Sequence, residues 1–154
     1  MSTLKERLHA DVVVHMKDHD KVALNTVRNV LGEIETREKA GKEPVELNDA
    51  EITTMLQKEA HKRRETAALY TDAGEADRAA AEIAEAEVIE TYLPEPLSAA
   101  DVEAIVDGAI ADMRAAGQEL SLSHMSAVMK PVSEKVAGRF DGKAVSDIVR
   151  QRLT

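Results

Sequence analysis

Cysteine and tryptophan are absent from this 154-residue chain, and phenylalanine occurs once, at Phe140. Without cysteine there is no disulfide framework, no thiolate metal site and no thiol nucleophile, which fits a reducing compartment. Aromatics make up 2% of the residues against 44% apolar overall, so any core must be built from Leu, Val, Ile, Met and Ala. Side chains that small let helices approach closely, which favours helix-on-helix packing and argues against a β-sandwich. No apolar run approaches the roughly 20 residues needed to cross a bilayer. The start, Met1-Ser2-Thr3-Leu4-Lys5-Glu6-Arg7, enters an amphipathic pattern at once with no apolar signal core behind it. The expectation is a cytoplasmic protein without membrane association. Also missing are a Gly-rich phosphate loop, a nucleophile elbow and a Ser-x-x-Lys acylation motif.

What the chain does have is helical periodicity. Leu4, Leu8, Val12 and Met16 repeat every fourth residue, with Val13 widening the stripe, and predict a helix from Thr3 to about Lys17. After Asp18-His19-Asp20, a second run through Leu24, Val27, Leu31 and Ile34 ends at Lys39-Ala40-Gly41, with Gly41 expected as a left-handed C-terminal cap. Asn48 followed by Glu51 signals a capped start, and a long helix should run from Asp49 to about Asp72, on the order of 35 Å. Gly74 breaks it. An alanine-rich helix from Glu75 to Tyr92 follows, with Ala79, Ile83, Ala86, Ile89 and Leu93 as its inner face.

Two prolines one residue apart, Pro94 and Pro96, deny helix to their neighbours in Tyr92-Leu93-Pro94-Glu95-Pro96-Leu97-Ser98. Ser98 and Asp101 then form a capping-box pair for the next helix. The joint is read as semi-rigid. Beyond it, Val102, Ile105, Val106, Ala109, Ile110 and Met113 mark a helix ending at Gly117, with Gly108 inside it marking close contact with another helix. A further helix from about Leu122 carries Met125, Val128, Met129, Val132 and Val136, and Pro131 within it predicts a kink or a late start. Gly138-Arg139-Phe140-Asp141-Gly142 is a tight connector, and Asp141 caps a last helix through Val145, Ile148, Val149 and Leu153. The expected class is all-α: residues 1–93 form an N-terminal bundle of about four helices, with long antiparallel members. Residues 94–98 form a Pro-containing hinge and residues 99–154 a small three-helix domain.

Catalytic and metal chemistry find little support. His15 and His19 are the only histidine pair at helical ligand spacing, with no third ligand at a telling distance, and solvated surface histidines explain them better. No metal or cofactor is expected. Charge is more informative. From His124 to Thr154 the basic residues are Lys130, Lys135, Arg139, Lys143, Arg150 and Arg152, against three acids, or +3. Residues 1–93 carry thirteen basic and twenty acidic side chains, or −7. A basic end on an acidic protein suits phosphate contact, and with so few aromatics, shape and backbone are read in preference to bases. The competing explanation is that lysines near helix C-termini offset the dipole. A second basic cluster, Lys58, Lys62, Arg63 and Arg64, is interleaved with Glu59 and Glu65 in a way that favours intrahelical pairs.

Several segments resemble the YqeY-like family, which shares its domain with the tail of the GatB subunit of the glutamine-dependent aminoacyl-tRNA amidotransferase. The most specific are Tyr92-Leu93-Pro94 and the turn Gly138-Arg139-Phe140-Asp141-Gly142-Lys143. Leu24 to Glu35 and Glu59 to Glu65 are similar to the family's N-terminal half. The family usually has Gly-Lys after the first methionine of its Met-Gly-Lys-Val-Met motif, where this chain has Ser126-Ala127. The resemblance implies a helical unit followed by a three-helix tail related to the module that contacts the tRNA body. It also carries a family-level label of carbon–nitrogen ligase with glutamine as amido donor, but 154 helical residues supply neither the catalytic body nor the glutaminase that reaction needs.

Three functions follow as expectations. The first is a non-catalytic, translation-associated module binding tRNA through the six basic residues of the tail. The second is a helical adaptor docking on an amidotransferase or another translation protein. The third is a component of the amidotransfer reaction itself.

Overall fold

Local capping chemistry sets most of the helix ends. The computed structural model describes residues 3–154; Met1 and Ser2, the first residues of the amphipathic start, lie outside the described residues. Within them the chain is all-helical: α1 Thr3–Lys17, α2 Lys21–Glu38, α3 Asp49–Asp72, α4 Ala76–Glu90, α5 Ala99–Ala115, α6 Met125–Val136 and α7 Gly142–Leu153, with one 3-10 turn at Leu122–His124. No strand occurs among the described residues. No described helix is long and apolar enough to cross a membrane.

Asp20 accepts from the Ala23 N–H at 3.1 Å to start α2. The Asn48 side chain accepts from the Glu51 N–H at 2.8 Å and Glu51 answers the Asn48 N–H at 3.3 Å, a complete capping box. Ser98 and Asp101 repeat it at 3.1 and 3.0 Å. At the other ends, Gly74 (φ +79°) and Gly117 (φ +86°) take left-handed conformations. The residue after each donates back to the carbonyl five residues earlier, Glu75 to Tyr70 at 2.8 Å and Gln118 to Met113 at 3.2 Å. α1 ends the same way on a non-glycine residue. His19 lies at φ 56°, and the Asp20 N–H reaches the His15 carbonyl at 3.0 Å.

The described residues fall into two compact units dividing between Leu93 and Pro94. In the first, α3 packs along α4 and α1 along α2, with α2 also on α4 and α1 on α3. Its core joins Leu8, Val27, Ile34, Ile52, Met55, Leu56, Ile89 and Tyr92. Tyr92 is buried, its hydroxyl donates to the Asp11 carboxylate, and the Arg7 guanidinium stands 4.5 Å over its ring. Burial, then the hydrogen bond to Asp11, pushes the phenol well above its usual range. In the second unit α5, α6 and α7 surround Val102, Val106, Val128, Val132, Val145 and Val149.

Four details differ from expectation. The α1 stripe stops short: Val13 and Met16 are 49% and 48% exposed, and the α1 residues that reach the core are Leu4, Leu8 and Val12. Gly41 is not among the residues at positive φ, and α2 ends instead at Glu38 with Lys39 still right-handed. Glu38 is what holds that end. Its buried carboxylate takes the Lys5 ammonium at 2.6 Å and the Leu47 N–H at 3.0 Å, drawing the following loop back. Gly108 has open space where its Cβ would be, so no helix contact requires it. Pro131 lies inside α6, whose start at Met125 excludes a late one.

The buried Glu38 pair makes stability depend on pH. The Lys5 ammonium first, then the Leu47 N–H, holds the Glu38 carboxyl below its ordinary value of 4.5. A folded-state pKa lowered in this way contributes stability above pH 4.5, lost as pH falls through the folded value. Glu38→Gln should therefore cost roughly 1–2 kcal/mol at pH 7, with the gap to the parent closing below pH 4.5 in urea titrations. His19→Gly, which removes a left-handed Cβ penalty, and Gly108→Ala, which adds helix propensity where space is open, should each raise stability by about 0.5–1 kcal/mol in the same assay.

Candidate nucleic-acid interface

The connection from α6 to α7 gathers half of the basic residues singled out in the tail. Ala137 and Gly138 take consecutive left-handed conformations (φ 50° and 76°), turning the chain sharply after Val136. That turn leaves the last carbonyls of α6 without helical donors. Arg139 supplies them: its N–H and its Nε both donate to the Val136 carbonyl, at 3.0 and 3.1 Å, and an Nη donates to the Lys135 carbonyl at 2.6 Å. A cation at this end also offsets the negative pole of the helix dipole. Arg139's own carbonyl accepts from the Leu97 N–H at 3.0 Å. Two bonds to the α6 end thus fix the guanidinium.

Asp141 then opens α7 by accepting from the Ala144 N–H at 3.1 Å, while Gly142 is its first residue and does not take positive φ. Lys143 is second, exposed, in a first turn that contains no acid. A cation there stands at the positive pole of its helix, a placement unfavourable by a few tenths of a kcal/mol. Lys135, in the last turn of α6, is on the favourable side of the same balance.

The six residues therefore separate. Lys135, Arg139 and Lys143 share the α6–α7 connection. Lys130 is exposed on α6, about 140° round the helix from Lys135 at 100° per residue. Arg150 and Arg152 lie at the far end of α7, about 10 Å or more along it from Lys143. Arg152 is engaged by two acids of α5, Asp107 at 2.8 Å and Glu103 at 3.7 Å, and Asp107 raises its pKa. Arg150 meets Asp147 at 3.1 Å. Among the described residues no carboxylate lies within 4.0 Å of Lys130, Lys135 or Lys143. The anchoring role of Asp107 and Glu103 was the part missed in the sequence, although the acidic spacing along α5 was its available signal.

Of the turn and joint residues, Tyr92 and Leu93 belong to the first core, Pro94 and Pro96 are exposed, and Gly138 and Asp141 set the turn and the cap. The histidine pair does not keep helical spacing, because α1 ends at Lys17 and His19 sits in the turn beyond it. No group of three or more metal-ligating side chains occurs among the described residues.

A family model described as Yqey-like protein matches residues 5–153. The chain belongs to the YqeY-like family. The match includes both units of the YqeY-like chain, the Tyr92-Leu93-Pro94 joint and the Gly138–Gly142 turn. No curated protein matches it.

Proposed function

We propose that this YqeY-like protein is a non-catalytic accessory of translation whose second unit contacts the backbone of a structured RNA, tRNA in the first instance. Lys135 and Lys143 make the main contact and Lys130 an outlying one, while Arg139, whose guanidinium is bound to the Val136 and Lys135 carbonyls, holds the turn between them. The observation that carries the reading is Lys143, a cation in the first turn of α7 where helix stability would favour an acid. Dipole compensation explains lysines at helix C-termini and does not explain this one. The near absence of aromatics leaves phosphate and shape as the features to be read. The resemblance of residues 99–154 to the tRNA-contacting tail of an amidotransferase supports the same ligand, and the cytoplasm is the compartment it requires. Arg152 and Arg150 are assigned a structural part in this reading.

A second reading has one observation in its favour. Val13, Val14, Met16 and Val22 are each about half exposed around the α1–α2 turn, and an apolar group of this kind suits an adaptor that docks on another translation protein.

The RNA reading is tested by titrating tRNA into the protein at several salt concentrations. Binding should weaken with salt, and Lys135→Ala with Lys143→Ala should reduce the log–log slope by about 0.9 for each phosphate no longer neutralised. Arg152→Ala should leave that slope unchanged. Absence of binding at low salt, or a slope indifferent to the paired lysine change, rejects the proposal. For the adaptor, Val14→Lys with Met16→Lys should leave the fold intact and abolish crosslinking to an amidotransferase; unchanged crosslinking rejects that reading.

A further inference from the structure

In the first unit, α2 and α3 both pack on α4 with few contacts to each other, and an open, polar groove of about 490 Å³ lies along them. Its α2 wall is a single stripe at helical spacing, Arg28, Asn29, Gly32, Glu33 and Thr36, on the side opposite the buried Val27, Leu31 and Ile34. The α3 wall adds Lys62, Arg63 and Glu59.

The charges here are unevenly satisfied. Arg63 is held by Glu59 at 2.5 Å, and its buried Nε is paired with the Glu85 carboxylate at 3.4 Å without hydrogen-bond geometry. Arg28, Lys62 and Glu33 have no oppositely charged group within 4.0 Å among the described residues. Gly32 is in mid-helix, where glycine is unfavourable, and a Cβ there would meet nothing within 4 Å. No neighbour requires a glycine; its effect is to deepen the groove between the two cations' helices.

We propose that this groove binds a small phosphorylated polyol, a sugar phosphate. Arg28 and Lys62 match a phosphate dianion as fork and point charge. The free Glu33 carboxylate and the Asn29 amide accept from hydroxyl groups. Of the lining residues only Val30 is apolar and none is aromatic, so there is no platform for a nucleobase and the ligand is the sugar and its phosphate alone. The site does not depend on the RNA reading of the second unit.

Ribose 5-phosphate, inorganic phosphate, ribose and tRNA are the probes, titrated into the full chain with amide NMR shifts as readout. Ribose 5-phosphate should shift the Gly32 and Lys62 amides with a Kd of about 1 mM or tighter, inorganic phosphate should bind at least several-fold more weakly, and ribose should not bind. Gly32→Met should abolish the shifts with helicity unchanged, and Lys62→Ala should weaken binding at least about five-fold. The proposal is overturned by unmoved Gly32 and Lys62 amides, by phosphate binding as tightly as the sugar phosphate, by binding that survives Gly32→Met, or by tRNA alone moving these amides.

Discussion

Close packing of small aliphatic side chains is the constraint on which this structure depends. Tyr92 is the one buried aromatic ring among the described residues, so burial must come mostly from many modest contributions, and those accumulate only if helices lie close along much of their length. The two units meet this requirement differently. The first uses Leu, Ile and Met with alanines Ala60, Ala67, Ala79 and Ala86 between α3 and α4. The second uses valine at six of its most buried positions. Valine lowers helix propensity slightly but has a single preferred rotamer in a helix. A short helix rich in valine therefore loses little entropy on packing and depends on its caps to form at all.

That dependence explains why polar groups at helix ends have so prominent a part. Asp20, Asn48, Ser98 and Asp141 each accept an otherwise orphaned N–H, and the Arg139 side chain donates to the Lys135 carbonyl and to that of Val136, which also takes the Arg139 N–H. Glu38 and Tyr92 act similarly inside the first core, where a carboxylate and a phenol are buried only because Lys5, Leu47 and Asp11 pair with them. Charge that remains after these duties is the charge available for ligands. By this criterion Arg152, held between Asp107 and Glu103, is a strut between α5 and α7, and Lys143 is not.

Features encoded within four or five residues were legible in the sequence. The Asn48–Glu51 and Ser98–Asp101 boxes, the Asp141 cap and the breaks at Gly74 and Gly117 all depend on neighbours along the chain. What failed depended on which helix lies opposite. Gly41 follows a helix already ended by the loop drawn onto Glu38, and Gly108 faces open space. Met16 continues a regular apolar repeat beyond Leu4, Leu8 and Val12, the α1 positions that reach the core. The division of the six tail cations was unreadable for the same reason, since the nearer of Arg152's two acids, Asp107, is 45 residues away along the chain. The α2–α3 groove was harder still, because it is a surface that two helices fail to cover, and periodicity reports only what is buried.

The two candidate sites differ in how their cations are held, and the difference bears on what each can recognise. At the α6–α7 connection the one fixed donor, Arg139, is spent on backbone carbonyls, and the lysines beside it are long, exposed and without a carboxylate partner. Such groups follow a polyanion of variable shape and lose little when it shifts, which suits backbone contact and gives affinity that falls steeply with salt. In the groove, Arg63 is clamped by two glutamates, and Arg28, Lys62 and Glu33 stand on helices whose spacing is set by the packing of α2 and α3 on α4. Groups carried on rigid helices favour a ligand of fixed size and internal charge separation. Mobile surface lysines therefore belong with a large, repetitive partner, and the mixed-charge groove with a small one.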